Sequence, residues 1–118
     1  TNTADYNTGL GYESLAANTT GSQNTGLGYQ SLFTNSVGVS NNAFGYRALF
    51  RTTGSYNVAI GNSSLYENND KSYNVAVGFE AMRNTRADGN TSLGYKAGIT
   101  NTTGTNNTII GSNADLSN

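Results

Sequence analysis

The chain has 118 residues, a formal net charge of -1, and no Cys, His, Trp or Pro. Without Cys there is neither a disulfide nor a thiolate metal site, and without His or Cys the usual nucleophile–base pairs are missing. The few scattered Lys and Arg side chains exclude the basic face that nucleic acid or an anionic membrane requires, and no apolar run is long enough to insert into a bilayer. Leu, Ile, Val and Phe make up about 18% of the residues, a share associated with disorder. Two features overrule that class. The low net charge does not hold the chain open, and the apolar residues recur at fixed positions.

The recurrence is set by seven glycines: Gly11, Gly28, Gly45, Gly61, Gly78, Gly94 and Gly111, spaced 17, 17, 16, 17, 16 and 17 residues apart. A period of this length predicts stacked coils, each unable to bury its apolar face alone. Four residues before each Gly stands an Asn: Asn7, Asn24, Asn41, Asn57, Asn74, Asn90 and Asn107. Three before is a mostly β-branched column (Thr8, Thr25, Asn42, Val58, Val75, Thr91, Thr108). Two before, the residue is small in all coils but one: Gly9, Gly26, Ala43, Ala59, Ala76, Ser92, then Ile109. The residue just before the Gly is always large and apolar: Leu10, Leu27, Phe44, Ile60, Val77, Leu93, Ile110. This alternation predicts a short strand whose small face lies against the far side of the coil or against another chain.

After the Gly the pattern changes. The next position holds Tyr12, Tyr29, Tyr46, Asn62, Phe79, Tyr95 and Ser112, followed by a polar column that includes Glu13, Arg47, Glu80 and Lys96. Leu15, Leu32, Leu49, Leu65 and Met82 occupy the fourth position, where the last two copies carry Gly98 and Asp115. Apolar residues at positions one, four and five predict a single helical or 3₁₀ turn. Polar returns such as Asn18-Thr19-Thr20-Gly21 carry turn chemistry, and the shorter coils are expected to drop a residue there. Loss of Leu from the last copies predicts weaker packing toward the C-terminus. The stacked Asn side chains are expected to form a buried amide ladder from coil to coil. Each Gly is expected to serve positive φ or close backbone approach.

No constellation of catalytic residues stands out. The carboxylates are Asp5, Glu13, Glu67, Asp70, Glu80, Asp88 and Asp115. Glu13 and Glu80 share a column but lie four coils apart, roughly 19 Å at strand spacing, too far for an acid pair. Asp is not periodic, as calcium-binding repeats require. Gly9-Leu10-Gly11 and Gly26-Leu27-Gly28 lack the third glycine and long helix of a dinucleotide site. The chain is expected not to be an enzyme and to use no metal or cofactor. The Tyr12, Tyr29, Tyr46 and Tyr95 column has two readings, packing between coils or chains and an exposed platform for sugar rings. Packing is favoured because the column is in phase with the Leu positions. A flat Thr array for ice binding is broken by Asn42, Val58 and Val75.

The repeat Asn24-Thr25-Gly26-Leu27-Gly28-Tyr29-Gln30-Ser31-Leu32, with its Asn-Thr-Thr-Gly returns, resembles repeats of phage tail-fibre and bacterial surface-fibre proteins. It is more distantly similar to the head repeats of YadA-like trimeric adhesins, from which it departs in its longer period and its Tyr-x-Ser-Leu segment. The resemblance covers the whole chain. It implies a left-handed parallel β-solenoid or β-roll, a homotrimer, an extracellular place on a virion tail or a bacterial surface, and a role in host attachment or in spacing a binding tip. The expected architecture is all-β with short helical turns. Residues 1–118 are expected to form a single repeat domain, a fragment of a longer fibre. The expected function is a structural fibre segment. The alternatives are a module that itself binds a glycan or protein receptor and, below that, an ice-binding solenoid.

Overall fold

The computed structural model describes residues 4–116. Its strands are β1 (Thr8–Leu10), β2 (Thr25–Leu27), β3 (Asn42–Phe44), β4 (Val58–Ile60), β5 (Val75–Val77), β6 (Thr91–Leu93) and β7 (Thr108–Ile110). They form one seven-stranded parallel sheet in chain order. Pairing runs Thr8 to Thr25, Thr25 to Asn42, and so on to Thr91 with Thr108, so every residue stacks on its own column. Coil lengths are either 16 or 17 residues, yet the register does not slip, because each difference is absorbed outside the strands. The fold is a parallel β-solenoid with Cα dimensions of 47 × 22 × 16 Å.

No helical turn forms among the described residues, which corrects the expectation drawn from the apolar spacing after each Gly. The chain makes two tight turns instead. Ser14 N–H donates to Gly11 O at 3.3 Å, and Asn18 N–H donates to Leu15 O at 3.1 Å. Glu13 and Leu15 both have positive φ, at 53° and 56°, and the alternation recurs at Gln30 and Leu32, Arg47 and Leu49, Ser63 and Leu65, Glu80 and Met82. The physical reason lies in the backbone hydrogen bonds. In this region of a stacked coil many N–H groups bond to the coil above or below, as Gln30 N–H does to Tyr12 O at 2.8 Å and Leu15 N–H to Ser31 O at 3.1 Å. A helix would spend those donors internally and strand the neighbouring carbonyls. A left-handed Leu costs about 1–2 kcal/mol. Leu32, Leu49, Leu65 and Met82 are each fully buried, worth about 1.5–3 kcal/mol apiece, which offsets that cost.

The interior is filled from two sides. The small strand residues Ala43, Ala59 and Ala76 point inward and meet the column of Leu32, Leu49, Leu65 and Met82, flanked by Ala48 and Ala81. The small face therefore packs on the far side of its own coil. The large residue before each Gly points out. Gly98 replaces a core Leu, but packing is kept, because Ile109 stands in the otherwise small strand column and is buried. A Cβ on Gly98 would sit 3.0 Å from the Ile109 side chain, so one position's lost volume is filled by the other's gain. Gly61 shows what the glycine corner needs. Its φ is 128°, and an added Cβ would lie 2.5 Å from the Gly78 carbonyl of the next coil. Left-handed geometry and stacking distance both forbid a side chain there.

Candidate functional site

The sequence-defined columns occupy three environments. Inside, Asn24, Asn41, Asn57, Asn74 and Asn90 are fully buried, while the end members Asn7 and Asn107 are half-buried. From Asn7 to Asn90, each side-chain oxygen accepts the backbone N–H of the next Asn: Asn24 N–H to Asn7 Oδ1 at 2.8 Å, Asn57 to Asn41 at 3.0 Å, Asn107 to Asn90 at 3.0 Å. The amide nitrogen donates to a carbonyl in the return, such as Gly38 O from Asn24 at 2.8 Å or Ala87 O from Asn74 at 2.8 Å. The ladder thus satisfies backbone groups that would otherwise be buried without partners.

A second polar column, missed from the sequence, lies seven residues after each Gly: Asn18, Asn35, Thr52, Asn68, Thr85 and Asn101. Its next member, Asn118, lies outside the described residues. All but Asn18 are buried. Its chemistry tracks coil length. In the 17-residue coils the Asn amide spans the turn and donates three residues on, to Gly21 O (2.9 Å), Gly38 O (3.1 Å), Lys71 O (2.7 Å) and Gly104 O (3.3 Å). Both 16-residue coils carry Thr, at Thr52 and Thr85, where the dropped residue leaves no such span to bridge. The signal was present in the 16/17 spacing and in the repeated Asn of the returns.

Outside, the strand face forms an apolar ridge. Leu10 is 71% exposed, Ile110 66%, Leu93 48% and Ile60 42%, and the neighbouring Thr/Val column lies on the same face. Neither column contains a charged residue. The Tyr column runs beside this ridge, partly exposed rather than buried with the Leu residues. Tyr12, Tyr29 and Tyr46 stack at 5.4 and 5.2 Å, and Phe79 stacks on Tyr95 at 5.6 Å, with Asn62 separating the two groups. These spacings follow the coil rise, so rings meet face to face along the rod and turn their edges outward. The faces of an interior ring such as Tyr29 are covered by its neighbours, which leaves open faces only at stack ends. Arg47 lies over Tyr46 at 5.1 Å and over Phe50 at 5.2 Å.

The outward polar column is stitched coil to coil, Gln30 Nε2 donating to Glu13 Oε2 at 2.7 Å and Arg47 Nε to Gln30 Oε1 at 2.9 Å. Glu13 beside Tyr12 raises the phenol's pKa above its ordinary value, chiefly by charge. Lys71 beside Asp70 lowers that carboxyl's pKa. No group of three or more His, Cys, Asp or Glu residues is gathered to hold a metal ion among the described residues.

A recess interrupts the periodic surface among the described residues. It encloses about 360 Å³ and is lined by Thr34, Arg51, Thr52, Thr53, Asn69 and Asp70. It lies over the return of the coil that begins at Gly45, one residue shorter than its neighbours on either side. No known protein family, curated protein or solved structure matches this chain.

Proposed function

We propose that this chain is a structural segment, shaft or head, of a homotrimeric extracellular fibre that attaches a virion or a bacterial cell to its host surface. The observation that carries the reading is the apolar ridge. Seven large side chains and seven neighbours of the Thr/Val column stand in straight rows without one charge among them. A large contiguous exposed apolar surface marks an interaction site. At the spacing of paired strands, the seven-stranded sheet runs these rows for about 30 Å along the rod. A second and third copy supply the same rise along the same rows, so apolar residues meet at every coil. The likeness of the Asn-Thr-Gly-Leu-Gly-Tyr repeat to trimeric fibre repeats supports three as the number of copies.

Sedimentation equilibrium or light scattering tests this. The expected mass is three times the 12.4 kDa chain, and the Ile60→Lys/Val77→Lys double variant is expected to run as a folded monomer. A wild-type chain that stays monomeric with an intact circular dichroism spectrum refutes the trimer.

A further inference from the structure

We propose that the recess over the Gly45 coil binds a saccharide unit, through hydroxyl contacts rather than through stacking on the Tyr column. Four observations converge on it.

The recess has a structural origin. The chain between Thr53 and Gly54 lacks the residue that fills this position in the coils on either side, so the surface is notched by one residue. Its floor is already satisfied: Thr34 Oγ1 donates to Phe50 O at 3.2 Å, and Thr52 Oγ1 accepts from Asn68 Nδ2 at 3.2 Å. Those bonds fix the floor without using the rim.

The rim is chemically suited to hydroxyl groups. Arg51 Nη1 pairs with Glu67 at 3.2 Å, Asp70 Oδ1 pairs with Lys71 at 3.0 Å, and Asn69 Nδ2 donates to Glu67 O at 3.3 Å. The Arg51 guanidinium, the Thr53 hydroxyl, the Asn69 amide and the Asp70 carboxylate all line the recess. A sugar hydroxyl both donates and accepts, and neighbouring hydroxyls match a rim that mixes a guanidinium, a hydroxyl, an amide oxygen and a carboxylate.

Charge is concentrated around the notch. The returns of the two coils before it, residues 16–23 and 33–40, carry no charged residue, and neither does 99–106. Arg51, Glu67, Asp70, Lys71, Arg83, Arg86 and Asp88 all fall in the three returns between. Asp88 belongs to the scaffold, its Oδ1 accepting the Ser72 N–H at 2.8 Å, whereas other returns close with no charged side chain. Finally, the faces of an interior ring such as Tyr29 are covered by its neighbours, so in that stack a sugar ring finds an open face only at the ends.

The proposal is independent of the fibre reading, since assembly is measured by mass and binding by amide shifts. The test is a ¹⁵N–¹H titration of the intact chain with D-galactose, N-acetyl-D-glucosamine and N-acetylneuraminic acid, each used singly. At least one is expected to shift the Thr53, Asn69 and Asp70 amides with millimolar affinity. Asp70→Ala, at an exposed side chain, is expected to weaken that binding about tenfold. A variant with Thr52→Asn and one residue inserted after Thr53 fills the notch and is expected to abolish it. Absence of recess shifts with all three sugars overturns the proposal. So do shifts that survive unchanged in Asp70→Ala.

Discussion

Replacing Asn57 by Ala removes one rung from the middle of the buried ladder. The Asn57 amide nitrogen donates to Asn41 Oδ1 at 3.0 Å and to Lys71 O at 2.9 Å, and its oxygen accepts the Asn74 N–H at 3.0 Å. The side chain is fully buried. Ala leaves the Asn74 N–H without a partner in a site closed to water, whereas the Lys71 carbonyl keeps its bond from Asn68 Nδ2 at 2.7 Å. The orphaned N–H costs about 1–3 kcal/mol, and the vacated volume adds to it, so the expected destabilisation is about 2–4 kcal/mol. That is a large part of the ~5–15 kcal/mol holding a typical domain together. Ser63→Ala is the control. Its hydroxyl bonds only the adjacent Asn62 Oδ1 at an exposed edge, and the expected change is within about 0.5 kcal/mol. Urea denaturation followed by circular dichroism, with all variants at one chain concentration, measures the difference. Equal midpoints for Asn57→Ala and Ser63→Ala refute the ladder as a source of stability.

Gly61→Ala is expected to cost more than about 3 kcal/mol, because it combines positive φ with a Cβ 2.5 Å from the Gly78 carbonyl. Gly9→Ala is expected to be neutral or slightly stabilising, since its Cβ meets nothing closer than 3.4 Å. Denaturation midpoints check both. Gly98→Leu is expected to overpack against Ile109 by about 1–3 kcal/mol, and adding Ile109→Ala should recover most of that loss in a double-mutant cycle. Glu13→Gln is expected to move the Tyr12 phenol back down toward 10.0, the ordinary tyrosine value, because the neighbouring carboxylate charge is the main cause of its rise. The raised value keeps Tyr12 protonated further into alkaline solution. Its contribution to stability is therefore present below the ordinary value and is lost as pH rises through the folded value. A carbon-detected NMR titration of the Tyr ring reads the change.

Much of this architecture follows from the sequence alone. The 16/17 spacing of the glycines, the Asn four residues ahead and the three-residue alternation between them gave the coil count, the strand positions and the in-register parallel stacking. They do so because a solenoid repeats its chemistry once per coil, and a column in sequence is then a row in space. The second ladder was equally legible, seven residues after each Gly, and was hidden only by the change from Asn to Thr in the short coils.

The tertiary structure decided what the period leaves open. An alternation of two shows that a strand has two faces without showing which is inward. Large residues usually fill the core, but this coil is thin, and the Leu32, Leu49, Leu65 and Met82 column enters from the opposite side. Only Ala, Ser or Gly fits against it, except where Gly98 makes room for Ile109. Leu10, Ile60 and Ile110 are turned outward as a result, and the exposed apolar rows are created by the narrowness of the coil. The turn after each Gly was undecidable for a related reason. Apolar residues at one, four and five suit a helical turn as well as a pair of left-handed corners. The choice fell to backbone donors that can pair only with the coils above and below.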